Sequence, residues 1–444
     1  AHGFSVIRLI VTWSRVEPTR GVIDDAYLDQ VAAYVDAAAE HGMYTVIDMH
    51  QDAWTDSIAT TDPSACPAGT TPAKGWDGAP GWATITDGLS TCLTASDRNS
   101  SPAVTAAWNH FYDNTDGIRD ALAEAWGAVA SRFAGRPEVA GYDLLNEPEV
   151  SRSAAELTPR YEAFIHDAVT AIRTAEHTAG ATFDHLVFVE PAIPAADLSR
   201  GIIVPDPAAI GLGTDNIVAA PHNYAESITD FLTIEQMSDL IDSFADQMGV
   251  PVWVGEYGWW DTSADTLAKV RRYAANADAR VQGGAWWQWR QSCGDPHTVQ
   301  WQGGTVISPD RVTTHLNLLQ CPDNTDLGPN DAFLDILGRA YPRATPGRVT
   351  TLQSDPDTGE LTVEAHADAG AVGGELVVWT PTSDDVDHRV TSRGLTDVRQ
   401  RVVPGGRIIT AQVAAEGDYA LMIASGDPPA PTTTTGPGST TART

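Results

Sequence analysis

Short, nearly continuous apolar runs recur along most of this chain, and longer stretches with apolar residues at helical spacing separate them. Phe4 to Trp13, Tyr44 to Met49, Val139 to Leu145, His185 to Val189, Asn216 to Ala220, Val250 to Gly255 and Gly283 to Trp287 read as strands. Between them, Asp25 to Glu40 is amphipathic (Leu28, Val31, Ala32, Val35, Ala38) and Gly42 closes it. Helical patterning returns at 104–133, 158–178, 234–248 and 263–280, with a last helix at 331–340. Apolar strands alternating with amphipathic helices predict a parallel sheet covered by helices. Polar and aromatic residues gather just after the strands, the face that carries chemistry in an α/β TIM barrel, (β/α)8. Seven strands are visible where such a barrel uses eight. The first strand is therefore expected upstream of Ala1, in a chain truncated at its N-terminus. A doubly wound open sheet is the alternative, but no Gly-x-Gly-x-x-Gly follows the first strand.

The pattern changes at Thr345-Pro-Gly. Residues 346–425 alternate short β-rich runs with turn residues (Glu360 to Ala365, Glu375 to Trp379, Arg407 to Val413, Tyr419 to Ile423), which predicts a small antiparallel β-sandwich. Residues 1–345 then form the barrel. Residues 426–444, rich in Pro and Thr, cannot build a core and are expected to be a disordered linker or stalk, suited to O-glycosylation.

Charge and cysteines narrow the setting. The formal net charge is −32, from 59 acidic against 27 basic residues. Such a field repels phosphate backbones, so nucleic acid is excluded as a partner. Cys66, Cys92, Cys293 and Cys321 form no Cys-x-x-Cys or Cys/His cluster, and no metal or cofactor is expected. Three pairings are open; the local one, Cys66 with Cys92 and Cys293 with Cys321, is preferred, and it places the chain in an oxidising compartment, secreted or attached to the cell surface. No apolar run is long enough to cross a membrane, and a monomer is expected.

Two strand ends carry the candidate chemistry. Val139 to Leu145 stops at Asn146-Glu147, and Pro148 closes it by removing a backbone donor. Val250 to Gly255 stops at Glu256. Carboxylates at the ends of two strands are what cleavage of a glycosidic bond needs, one as nucleophile (Glu256) and one as acid and base (Glu147). Neighbouring strand ends offer support. Asn146 suits a sugar hydroxyl, Tyr224 could orient Glu256, and Arg8, a charge inside an apolar strand, needs a carboxylate partner such as Glu256. Asp48, His50, Asp52 and His222 could line a sugar pocket, Trp287 or Trp289 could floor it, and Glu190 could form its wall. Singly, the histidines and tryptophans fit packing as well. The long loop 53–102 carries Trp54, Trp76 and Trp82, and loops of that length are usually functional.

Taken in order, Arg8, His50, Asn146-Glu147-Pro148, His222-x-Tyr224, Glu256 and Trp287 resemble the pattern of glycoside hydrolase family five. The resemblance implies a retaining (β/α)8 enzyme whose acid/base follows the fourth strand and whose nucleophile follows the seventh. Asp48-Met-His-Gln-Asp52, Gly255-Glu-Tyr-Gly and Trp286-Trp-Gln-Trp-Arg-Gln-Ser-Cys-Gly, with the appended sandwich, resemble actinobacterial endoglycoceramidases over residues 3–424. That implies release of an intact oligosaccharide from ceramide in glycosphingolipids, with substrate reached at a membrane surface. An endo-β-glucanase or β-mannanase is the alternative within the enzyme class; outside it, a non-catalytic carbohydrate-binding protein.

Overall fold

The computed structural model describes residues 2–194, 197–293, 297, 301–302, 305–306, 311–312, 315–381 and 388–425. The stalk expected at 426–444 lies outside them. Two compact units are present: residues 4–277 with 282–334, and residues 335–425 with 2–3 and 278–281.

Among its described residues the larger unit contains seven parallel strands: β1 (Val6–Thr12), β2 (Tyr44–His50), β3 (Val139–Asp143), β4 (Leu186–Val189), β5 (Ile217–Ala219), β6 (Trp253–Tyr257) and β7 (Gly283–Trp286). Strands β1 to β5 pair in chain order, β6 pairs with β7, and a parallel bridge between Ala219 and Val252 links the two sets. Helices α1 (Asp25–Glu40), α2 (Pro102–Tyr112), α3 (Ile118–Phe133), α4 (Ala154–Thr178), α5 (Ile234–Met248) and α6 (Ala264–Ala279) intervene, and α7 (Asp331–Leu337) follows. Their apolar faces pack on the strands: Leu28 and Val35, Leu122 and Trp126, and Phe164 and Ile172 share one core with Ile47, Tyr142, Val187 and Val189. Local chemistry fixes the helix ends. Asp24 caps α1 through Tyr27 N–H, and α5 has a capping box between Thr233 and Gln236 and ends at left-handed Gly249.

The stretch 104–133, uniform in its pattern, is two helices rather than one. Asn114, Asp116 and Gly117 take φ of 53°, 51° and 71°, and a left-handed run cannot continue an α-helix. The Asn-Glu strand pairs only to Asp143, although Leu144 N–H still reaches the Phe188 carbonyl.

In the smaller unit, β8 (Tyr341–Ala344), β11 (Glu375–Pro381), β14 (Gly406–Val413) and β13 (Leu395–Val403) form one antiparallel sheet in that order. Strands β9 (Arg348–Ser354), β10 (Leu361–Ala367), β15 (Gly417–Ser425) and β12 (His388–Arg393) form the other. Val363, Ala365 and Leu421 of one sheet and Leu376, Val378 and Ile409 of the other share a core, which makes a β-sandwich. Strand β13 escapes the hydrophobic pattern because nearly all of it is exposed, an edge strand with no face to bury.

Candidate active site

Three charged residues of the barrel strands face one another. Asp48 and Asp143 are register partners across β2 and β3, both fully buried, and Arg8 of β1 is buried beside them. Arg8 donates from Nε to Asp143 (2.9 Å), from Nη1 to Glu256 (2.7 Å), and from Nη2 to Asn146 (3.0 Å) and Glu190 (3.3 Å); Asp48 lies 3.1 Å from Nη1. Burial opposes the guanidinium charge, but these carboxylates outweigh it and raise its pKa. The expected Arg8–Glu256 pair is present within a larger hub. Asp143 went unforeseen, although a lone strand arginine needing several counter-charges was the available signal. Burial, opposed by Arg8 and reinforced by Asp48, pushes Asp143 up to about 6.

Glu147 and Glu256 meet at this hub. A carboxylate oxygen of Glu147, one of Glu256 and a ring nitrogen of His222 all lie within 4.8 Å of one another. Their environments differ. Glu256 is nearly buried and held on both sides, accepting from Arg8 and from the Tyr224 hydroxyl (2.8 Å). A third of the Glu147 side chain is exposed. Its backbone is left-handed, φ 42°, a conformation costly for a residue with a Cβ. Two contacts hold it there: Glu147 N–H donates to Glu190 (3.1 Å), and Gln51 Nε2 donates to its carbonyl (3.0 Å).

His222 spans the pair. Nδ1 lies 2.8 Å from Glu147 and 3.5 Å from Glu256, and Nε2 lies 3.1 Å from Glu190. Burial disfavours its charge, yet Glu190, Glu256 and Glu147 outweigh burial and keep the imidazole protonated well above its ordinary range. Glu190 is pushed up to about 7 by burial, against the pull of His222 and Arg8. It is a buried member of the hub, tied to three of the site residues.

Further polar and aromatic groups near the pair come from β2 and the loop after it. His50 Nδ1 is 2.7 Å from Asp48 Oδ2, and Trp287 stacks on His50 with ring centroids 5.4 Å apart. Asn146 is buried, and its Nδ2 donates to the Gln51 carbonyl (3.0 Å). After Asp52 the chain turns through Ala53 and Trp54, at φ 47° and 73°. Trp289 is 46% exposed. Cys66–Cys92 and Cys293–Cys321 are disulfides, in the preferred pairing. No helix among the described residues is long and apolar enough to cross a membrane.

Arg98 was invisible in the sequence because it sits in the aperiodic loop 53–102. Its guanidinium reaches both Asp52 and Glu147 and lies over the Trp76 ring, 5.4 Å from its centroid. Burial raises the Glu147 pKa, but Arg98 and then His222 overcome it and hold the carboxyl at about 2.

Residues 1–292 match the family described as Cellulase (glycosyl hydrolase family 5). The chain belongs to glycosyl hydrolase family 5. It is a glycoside hydrolase, with a (β/α)8-type catalytic fold and an antiparallel β-sandwich. Endoglycoceramidase I of Rhodococcus hoagii (strain 103S) is 25% identical over 456 residues, 95% of this chain and 78% of that protein. The crystal structure of an endogalactoceramidase is 35% identical with a TM-score of 0.82, covering 95% of this chain and 87% of that one. Endo-glycoceramidase II from Rhodococcus sp., in a cellobiose-like isofagomine complex, is 25% identical with a TM-score of 0.71, covering 95% and 89%.

Proposed function

We propose that this family 5 member is a retaining endo-β-glycosidase that cuts the linkage between oligosaccharide and ceramide in glycosphingolipids. The observation that carries the retaining mechanism is the approach of Glu147 and Glu256 to within 4.8 Å, oxygen to oxygen. Retaining enzymes set the two groups roughly 5–5.5 Å apart, whereas inverting ones leave room for a water at roughly 6.5–9.5 Å. Glu256 acts as the nucleophile. Its carboxylate, aimed by Arg8 and Tyr224, attacks the anomeric carbon and forms the glycosyl–enzyme ester. The bond from that carbon to the ceramide oxygen breaks, and the oxygen takes a proton from Glu147. Glu147 then removes a proton from water, which attacks the same carbon and frees Glu256. The leaving oxygen takes the place at Glu147 that Arg98 holds in the free protein, so that the carboxyl can carry its proton.

Asn146, Asp48, His50, Asp52, His222, Trp287 and Trp289 bind or bracket the sugar in this scheme. The similarity to proteins named endoglycoceramidase and endogalactoceramidase supports a glycolipid substrate, and the higher identity to the latter supports a β-galactosyl linkage. The two disulfides suit an enzyme working outside the cytoplasm, on lipid presented at a membrane surface.

The test is to incubate the protein with galactosyl-linked and glucosyl-linked glycosphingolipids and with β-glucan, and to identify the products by mass. Free ceramide with intact glycan is the expected result. Oligosaccharide ladders from glucan with no ceramide released would replace this proposal with an endoglucanase.

A further inference from the structure

Beside the carboxylate pair stands a second cluster, which shares His50 and Asp52 with the proposed sugar contacts and adds Asp77 and His297. One donor atom each from His50, Asp52, Asp77 and His297 lies within 4.8 Å of all the others. Four ligands about 2 Å from a tetrahedral ion stand about 3.3 Å apart, so small side-chain shifts would close the set. His50 Nε2 is 3.6 Å from Asp52 Oδ2, and His297 Nε2 touches the same oxygen and lies 4.0 Å from Asp77 Oδ1.

Three features distinguish this cluster from a chance gathering of charge. The first is an orphaned nitrogen. His50 is 1% exposed, and its Nε2 has no hydrogen-bond partner among the described residues, with Asp52 Oδ2 just out of range at 3.6 Å. The second is what stands behind it. His50 Nδ1 is hydrogen-bonded to Asp48 at 2.7 Å, and a carboxylate on the far nitrogen is the arrangement that orients a metal-binding imidazole and raises its basicity. The third is the division of labour on Asp52. Its Oδ1 faces Arg98 while its Oδ2 faces both imidazoles, so one oxygen stays available to an ion when the other is engaged.

The frame is also fixed. Asp52 N–H donates to the Asp77 carbonyl at 2.9 Å, which ties the two carboxylate-bearing segments together. The His297 ring stands among Trp76, Trp287 and His50, with centroids 5.0, 5.5 and 5.9 Å away. His50 and Asp52 stand two residues apart, but Asp77 and His297 come from distant points of the chain, so no spacing motif could reveal the full set.

We propose that His50, Asp52, Asp77 and His297 form a site for a zinc-type divalent cation on the wall of the catalytic pocket. Two imidazoles with two carboxylates suit zinc; magnesium and calcium prefer oxygen alone. The ion would displace the protons that the imidazoles share with the carboxylates. It would also withdraw His50 and Asp52 from a bound sugar, so zinc would inhibit in competition with substrate. That inhibitory consequence rests on the proposed function; the binding itself does not.

The experiment is calorimetric titration of the chelator-treated full-length protein with zinc chloride, repeated for His297→Gln and Asp77→Asn. One saturable zinc per chain is expected, weakened about tenfold or more in each variant. Magnesium chloride should give no comparable binding. Cobalt(II) should give the intense visible bands of a four-coordinate ion, lost in His297→Gln. Unfolding temperatures without metal identify any variant that has lost its fold, and the other then carries the test. No saturable zinc binding, or zinc binding unchanged in both folded variants, would overturn the site. Binding lost in Glu147→Gln but retained in both variants would overturn it too, by moving the ion to the carboxylate pair. Calorimetry needs no substrate, so its failure and a failure of the hydrolase assignment are separate events.

Discussion

At the scale of single residues, the site holds two carboxylates close together and makes them unequal. Glu256 is nearly buried and braced by Arg8 and Tyr224, whereas Glu147 is one-third exposed on a strained, left-handed backbone. Replacing Glu256 with Ala should take turnover below detection, and azide should restore part of it as a glycosyl azide of inverted configuration. Absence of that product would remove Glu256 from the nucleophile's role. Arg98 offers a sharper test. It is the foremost cause holding Glu147 ionised, down to about 2, and an ionised Glu147 has no proton to give. Removing the cation takes away stabilisation of the carboxylate, so the pKa must rise and the protonated fraction near neutral pH must grow. Arg98→Gln is therefore expected to move the alkaline limb of the kcat/KM profile upward by about one pH unit or more. A limb that stays put while KM rises would make Arg98 a sugar-binding residue instead.

At the scale of elements, the strands place these groups, and one close approach shows how tightly. Gly255 precedes Glu256 on β6, and a Cβ there would stand 2.9 Å from His222 Nε2 and 3.0 Å from the Ala220 carbonyl. Gly255→Ala should push His222 off the carboxylates and lower kcat at least about tenfold with the fold retained, as near-ultraviolet circular dichroism and unfolding temperature would show. Unchanged kcat would mean that His222 is not needed where it sits. The same packing explains what the sequence could reveal. Strands β2, β3 and β6 are mostly apolar because helices cover the barrel, so Asp48, Asn146 and Glu256 stood out near where those runs end. Arg8 stood out for the same reason. Asp143 was hidden among its apolar neighbours, and Arg98, Asp77 and His297 were hidden more deeply, since each lies in an irregular segment where position depends on tertiary contacts alone. The break at Asn114 and the exposed strand β13 escaped for related reasons. One turns on backbone angles, the other has no buried face, and neither leaves a mark in hydrophobic periodicity.

For the whole molecule, the governing quantity is a formal net charge of −32, set against the proposal that its substrate sits in a membrane. An enzyme so acidic is repelled by an anionic bilayer before its pocket can meet a headgroup, and the repulsion acts on encounter rather than on chemistry. The charge on the vesicle should therefore change kcat/KM and leave kcat alone. With glycosphingolipid in phosphatidylcholine vesicles at low salt, hydrolysis should run severalfold faster than in vesicles doped with phosphatidylserine. The gap should close as salt approaches about 1 M, where the screening length falls to about 3 Å. A water-soluble aryl β-galactoside supplies the control, because its turnover should ignore the vesicles altogether. Equal rates on both vesicles at low salt would mean that the docking face is locally neutral despite the global charge. Faster hydrolysis on the anionic vesicles would mean a basic docking face, and long-range repulsion would then have no part in how this hydrolase finds its lipid.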